Sequence, residues 1–281
     1  MKALKTILIL CAAICCFTAC KKEVDMTLKQ KTVLENADIW RIKVDDGWQV
    51  TLVYDSLNSF VELEYSAYLE DYVSVGKDDE LIYFKFNKPF YKQPGSVFKA
   101  TVHTTERQRL SLQVDNASVI TIEELLEMEE HVEIYLYNAS ICNHFAVSSS
   151  SCFIGSENAS QILDVQYSGS SCTARIYGDA SCKGHFDVNQ SFKAFVHDFS
   201  QLIVLGGNIP STSIEVKDAG TINMAQAEVK DMSVYLEDAS EATVNVTETL
   251  SGSLLLSSTL YYKGNPEIDI DCSDDSKIQP I

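Results

Sequence analysis

The chain is poor in basic residues. Lys and Arg number 22 against 40 Asp and Glu, a net charge of −18 over 281 residues. A surface this acidic repels nucleic acid and anionic lipid headgroups, so neither is expected as a partner. The arrangements that carry common chemistry are missing too. His103, His131, His144, His185 and His197 form neither a His-x-His nor a His-Glu-x-x-His phrase, so there is no zinc signature and no metal is expected. No Gly-x-Ser-x-Gly elbow and no phosphate loop occurs, and no cofactor follows from any motif. The acidic pairs Asp45-Asp46, Asp78-Asp79 and Asp274-Asp275 are consecutive residues. Consecutive strand residues face opposite ways, so these pairs make no acid/base dyad by themselves. Beyond the first 20 residues no run is apolar enough to span a membrane.

The N-terminus carries an address. Lys2 and Lys5 precede an apolar run from Ile7 to Phe17, too short to span a bilayer stably. The run ends in Phe17-Thr18-Ala19-Cys20, which resembles the lipobox of bacterial lipoproteins. There, small residues precede a Cys that is acylated and becomes the new N-terminus. The reading is a signal peptide over residues 1–20, lipidation at Cys20, and attachment to a membrane by that lipid. Lys21-Lys22-Glu23 resembles the surface-export tag of some Gram-negative lipoproteins. The expected location is therefore the cell envelope, as an outer-membrane lipoprotein exposed at the surface. Removing the leader with Lys2 and Lys5 leaves 20 basic against 40 acidic side chains, or −20.

Residues 21–37 are polar with little pattern and read as a tether. Residues 38–109 read as irregular strands that cap one end of a regular array. Ile42 and Val44 alternate, as do Trp48, Val50 and Leu52, and both Trp residues fall here. The array itself runs over residues 110–262. Its mark is a recurring polar turn: Asn116-Ala117-Ser118, Asn138-Ala139-Ser140, Asn158-Ala159-Ser160, Asp179-Ala180-Ser181, Asp198-Phe199-Ser200, Asp218-Ala219-Gly220 and Asp238-Ala239-Ser240. Asn and Asp tolerate a left-handed backbone and bond nearby amides, which suits a tight turn. From Cys142 the period is 20 residues. One column reads Cys142, Ile162, Cys182, Leu202, Ile222, Ala242, Tyr262; a second reads Ile154, Ala174, Ala194, Ile214, Val234, Leu254; a third reads Ser156, Ile176, Val196, Val216, Leu236, Leu256. The second and third columns lie two residues apart and share one strand face, with Glu215 and Lys217 pointing out. A period near 20 with alternation predicts stacked coils of strand: an all-β, single parallel β-helix-like solenoid. Residues 263–281, acidic after Pro266, read as a C-terminal cap.

Three departures from the pattern are candidates for chemistry. Glu123 to Glu130 falls in a coil stretched to 22 residues, from Ala117 to Ala139, and reads as a solvated loop or short helix. Asn158, Asp198, Asp218 and Asp238 stack into one ladder, which turn chemistry explains without a cation. Cys142, Cys152, Cys172 and Cys182 share columns with Ile, Leu and Met, so they read as small apolar core residues. Cys152 and Cys172 fall one coil apart, and whether they are bonded stays open at this point.

Taken together, Val44-Asp45-Asp46-Gly47-Trp48, the recurring Asp-Ala-Ser turns and the ending Tyr262-Lys263-Gly264-Asn265-Pro266 resemble the family called putative auto-transporter adhesin, head GIN domain, over roughly residues 38–278. The resemblance implies a secreted or lipid-anchored β-helical solenoid. It supplies no catalytic residues. The functional expectation is a surface protein that presents a rigid face to a glycan or host-protein ligand, with Phe153, Tyr177, Phe195 and Tyr235 as the contact residues. The alternative is a polysaccharide-active β-helix enzyme, whose site would involve Asp46, Glu124 or Glu127.

Overall fold

The computed structural model describes residues 24–281, Tyr91 and Asp274 apart. The leader, Cys20 and Lys21-Lys22-Glu23 lie outside the described residues. The rest is a parallel β-solenoid. The repeating unit is seen best in the long strands Ile141–Glu157, Gln161–Tyr177 and Ser181–Val196, each nearly a full coil. Neighbouring coils pair in parallel and in register: Ile154 on Ala174, Ala174 on Ala194, Ala194 on Ile214, Ile214 on Val234. Alternate residues turn inward to a continuous apolar core, in which Ile154, Ala174, Val196, Val216 and Leu236 have no accessible surface. Parallel pairing leaves each coil dependent on its neighbours for both hydrogen bonds and burial, as in other repeat architectures.

The turn is the element that fixes the period. Two successive residues adopt positive φ: Asn138 and Ala139 at +54° and +60°, Asn158 and Ala159 at +56° and +60°, Asp238 and Ala239 at +55° each. The second residue donates its N–H to the carbonyl of the first turn residue in the next coil, as Ala139 N to Asn158 O at 2.9 Å and Ala219 N to Asp238 O at 2.9 Å. The third turn residue is buried and small. Ser140 and Ser160 satisfy their hydroxyls on the carbonyls of Tyr137 (2.5 Å) and Glu157 (2.6 Å). One copy is out of phase with the sequence reading. The positive-φ pair at the fifth turn is Gly178-Asp179, and Ala180 fills the buried slot, so Asp179-Ala180-Ser181 is displaced by one residue.

The last coil of the array corrects two columns. Val234 pairs with Gly252, Leu236 with Leu254, and Ala242 with Leu260. Leu254 therefore belongs to the third column, Leu260 replaces Tyr262 in the first, and Leu256 leaves the core. It enters a further turn, Leu256-Ser257-Ser258, with φ +50° and +63° at its first two residues. The cause is a coil two residues shorter than the others, made by Gly252 at φ +134°.

The ends are more regular than expected. Arg41–Val44 and Gln49–Tyr54 form a true coil around the Asp46-Gly47 turn and stack in parallel on Leu110–Val114 and Val119–Glu127. Outside them, Leu81–Phe86 and Phe98–Thr104 make one more layer. Three antiparallel strands then close this end: Val73–Asp78 on Leu81–Phe86, Phe60–Ser66 on Phe98–Thr104, and Leu28–Val33 on Phe60–Ser66. The expected tether thus contains an edge strand, because Phe60–Ser66 presents backbone groups that need partners. Trp48 is fully buried here against Phe84, Phe86 and Phe98. The Glu123 to Glu130 segment is not helical; strand continues to Glu127, with the two extra residues absorbed as a bulge against Cys142–Val147. Among the described residues the one helical piece is a single 3-10 turn, Ala67–Leu69. At the other end Glu267–Cys272 and Lys277–Pro280 add a further parallel layer, so Pro266 does not end the stack.

Candidate functional site

The outward residues of one solenoid wall gather the aromatic side chains of the regular array. Register arranges them in three adjacent columns. The middle column runs Tyr135, Gly155, Arg175, Phe195, Glu215, Tyr235. Phe153 belongs to the column two residues earlier along each strand. Tyr177 belongs to the column two residues later, followed in the next coils by His197 and Lys217. The four residues expected to mark the face are thus on one wall and all half-buried, but they do not form a single column. Phe195 and Tyr235 do share one.

Contacts join these columns into a strip. Tyr135 lies 4.9 Å from Phe153, ring centre to ring centre, and runs parallel to Tyr137 at 6.3 Å. The guanidinium of Arg175 lies between Phe153 and Phe195, at 5.5 Å and 5.4 Å from their centres. Tyr177 contacts His197 at 4.9 Å. Beyond them the strip turns ionic. Lys217 is 3.0 Å from Glu215 and 3.7 Å from Glu237, its ammonium stands over Tyr235, and His197 approaches Glu215 at 3.3 Å. Tyr235 donates its hydroxyl to Glu237 at 2.8 Å. Burial raises the Tyr135 and Tyr177 phenols, the nearby Arg175 opposing the rise. The bond to Glu215 raises the Lys217 ammonium, and the bond to Glu237 raises the Tyr235 phenol. These shifts keep every phenol protonated and Lys217 charged at neutral pH. The strip offers aromatic faces, hydroxyl donors and two cations, with no nucleophile beside a base.

Tyr135, Tyr137, Arg175 and His197 were missed by reading aromatic residues one at a time. Adding 20 repeatedly to Tyr135 would have found the middle column as far as Tyr235.

The other candidates sit apart from this wall. Asp46 accepts the Phe86 amide at 2.9 Å, and Glu127 pairs with Arg107 at 3.7 Å. Among the described residues no group of three His, Cys, Asp or Glu side chains could hold a metal. Cys142, Cys152, Cys172 and Cys182 are buried free thiols. Burial drives the Cys142 and Cys182 thiols well above their usual range, which leaves them unreactive. Among the described residues no helix is long and apolar enough to cross a membrane.

Comparison with known proteins settles the kinship. The family described as "Putative auto-transporter adhesin, head GIN domain" matches residues 40–266. The chain belongs to this family. Solved structures with the same solenoid include a "putative adhesin" from Parabacteroides distasonis ATCC 8503, with a TM-score of 0.65 and 17% identity over 92% of this chain and 98% of that one. A "putative adhesin" from Parabacteroides merdae ATCC 43184 gives 0.58 at 12% identity, over 91% and 96%. A "putative lipid binding protein" from Parabacteroides distasonis ATCC 8503 gives 0.57 at 12%, over 92% and 98%. At these identities the likeness shows the fold. No curated protein matches the sequence. The head GIN domain family and these neighbours carry adhesin or lipid-binding descriptions rather than enzymatic ones.

Proposed function

We propose that this protein is a lipid-anchored, surface-exposed envelope protein of the adhesin type, which binds a glycan or host protein through the aromatic wall and catalyses no reaction. The observation that carries the reading is the strip from Tyr135 to Tyr235. Large half-buried rings are held on a sheet whose backbone is fixed on both edges, so little order is lost on binding. The membership of an adhesin-named family supports a surface role. The Cys20 lipobox and the charged residues after it support the anchor.

The wall is tested with the mature chain on arrays of glycans and extracellular-matrix proteins. A ligand retained by the native protein and lost on Phe153→Ser with Phe195→Ser supports the reading. Ligands bound equally by native and doubly substituted protein move the site elsewhere. The anchor is tested in cells: Cys20→Ala should release the protein from membranes or retain the leader, and a lipid-labelled, membrane-bound Cys20→Ala protein refutes it.

A further inference from the structure

Arg175 differs from the other cation of the wall. Lys217 is shared between Glu215 and Glu237. Arg175 is exposed and makes no ion pair with any described carboxylate; its contacts are the faces of Phe153 and Phe195. Stacking between two rings fixes the plane of a guanidinium while leaving its N–H donors unused. In a chain of net charge −18, an unneutralised, oriented Arg is a prepared anion acceptor. The residue beneath it in the column is Gly155. A Cβ there would stand 3.0 Å from Tyr135 Cδ1 and 3.1 Å from Phe153 Cε1, so the absence of a side chain lets these rings lean together. The result is a shallow aromatic shelf ending at a guanidinium.

We propose that this shelf is a subsite for an acidic saccharide: a sugar ring lying on Tyr135 and Phe153, with its carboxylate or sulfate bonded to Arg175. The inference rests on the reading of this wall as the binding face. A flat, half-wet shelf suits a ligand with an apolar face and polar edges better than an apolar side chain that needs a closed pocket. The surrounding carboxylates are mostly engaged. Glu133 accepts from Ser111 at 2.6 Å, Glu215 is held by Lys217 and His197, and Glu237 by Tyr235 and Lys217. Glu157, paired in register with Tyr177 one column over, opposes a bound anion by its charge.

The test is calorimetric titration of the mature chain at low salt with hyaluronan oligosaccharides, their carboxyl-reduced neutral counterparts, and chondroitin sulfate oligosaccharides. An acidic probe should bind at least about tenfold more tightly than the neutral one, and Arg175→Gln should remove that difference. Arg175→Lys should restore part of it, and Glu157→Gln should tighten binding by roughly two- to threefold. Added salt should weaken every acidic interaction. Failure of both acidic probes to bind, or binding indifferent to Arg175→Gln, overturns the subsite. If a neutral glycan or an acidic peptide binds, is lost on Phe153→Ala and ignores Arg175→Gln, the subsite falls and the binding wall stands. If Tyr135→Ala and Phe153→Ala change the binding of no ligand, the wall itself is refuted.

Discussion

Gly252 stands directly over Val234, 18 residues on, whereas Val234 stands over Ile214, 20 residues on. A Cβ on Gly252 would lie 1.8 Å from the Val234 carbonyl oxygen, and its φ of +134° is one that L-residues rarely adopt. The shortened coil exists because this position has no side chain.

Gly252→Ala should therefore cost about 3 kcal/mol or more, since backbone rather than a flexible side chain must move. Ser253→Ala, on an outward position beside it, should cost no more than about 0.5 kcal/mol. Urea unfolding of the two variants decides it. Similar midpoints would mean that the contraction lies elsewhere in the coil.

The same glycine explains what the sequence conceals. Between Cys142 and Ala242 each coil has the same length, so inward residues fall into columns that can be read by adding 20. The two-residue contraction breaks that arithmetic, and Leu254, Leu256 and Tyr262 were placed one strand position or more from where they sit. At the other end, about fifty residues separate Tyr54 from Leu110, and a rule of adding 20 cannot join Val44 to Val114. Yet those residues pair directly. The aromatic wall was partly legible: Phe153, Tyr177, Phe195 and Tyr235 do face outward on one sheet. The placement of Arg175 between Phe153 and Phe195 was not, because it depends on a diagonal reach between columns that alternation alone does not specify.

The turns store strain that can be relieved. Ala239 has φ +55°, a conformation that costs an L-residue about 1–2 kcal/mol. Ala239→Gly removes that cost while loosening the unfolded chain by roughly 0.4–1 kcal/mol, so a net gain of about 0.5–1 kcal/mol is expected. Ala180 fills the buried third slot of its turn and is not among the positive-φ residues. Ala180→Gly should lose about 1 kcal/mol. Thermal unfolding should show opposite signs for these identical substitutions. Two shifts of the same sign would mean that side-chain burial, and not backbone conformation, governs the turns.

Cys142 and Cys182 should remain thiols in the folded protein. Ile162 pairs with both and separates them by a full coil, so they cannot meet. Both are buried and their thiols are held well above the usual range by desolvation. Iodoacetamide at pH 8 should leave them unlabelled until denaturant is added, after which both should label without reductant. A disulfide-linked peptide joining Cys142 to Cys182 would refute the register.

The register itself can be tested at one pair of neighbours. Val216 is fully buried between Val196 and Leu236, while Glu215 points out of the same strand. Val216→Asp places a carboxylate in a dry column with no partner on either side and should cost on the order of 3–5 kcal/mol. Glu215 contacts Lys217 at 3.0 Å and His197 at 3.3 Å, but its side chain keeps 33% of its accessible surface. Solvent screening reduces such pairs to little, so Glu215→Gln should cost about 0.5 kcal/mol or less. That small loss should shrink further in 1 M salt, whereas the loss at Val216 should persist, because a desolvated charge is not reached by counterions. Equal destabilisation by the two substitutions, or a salt-sensitive loss at Val216, would show that the strand presents its other face to the core.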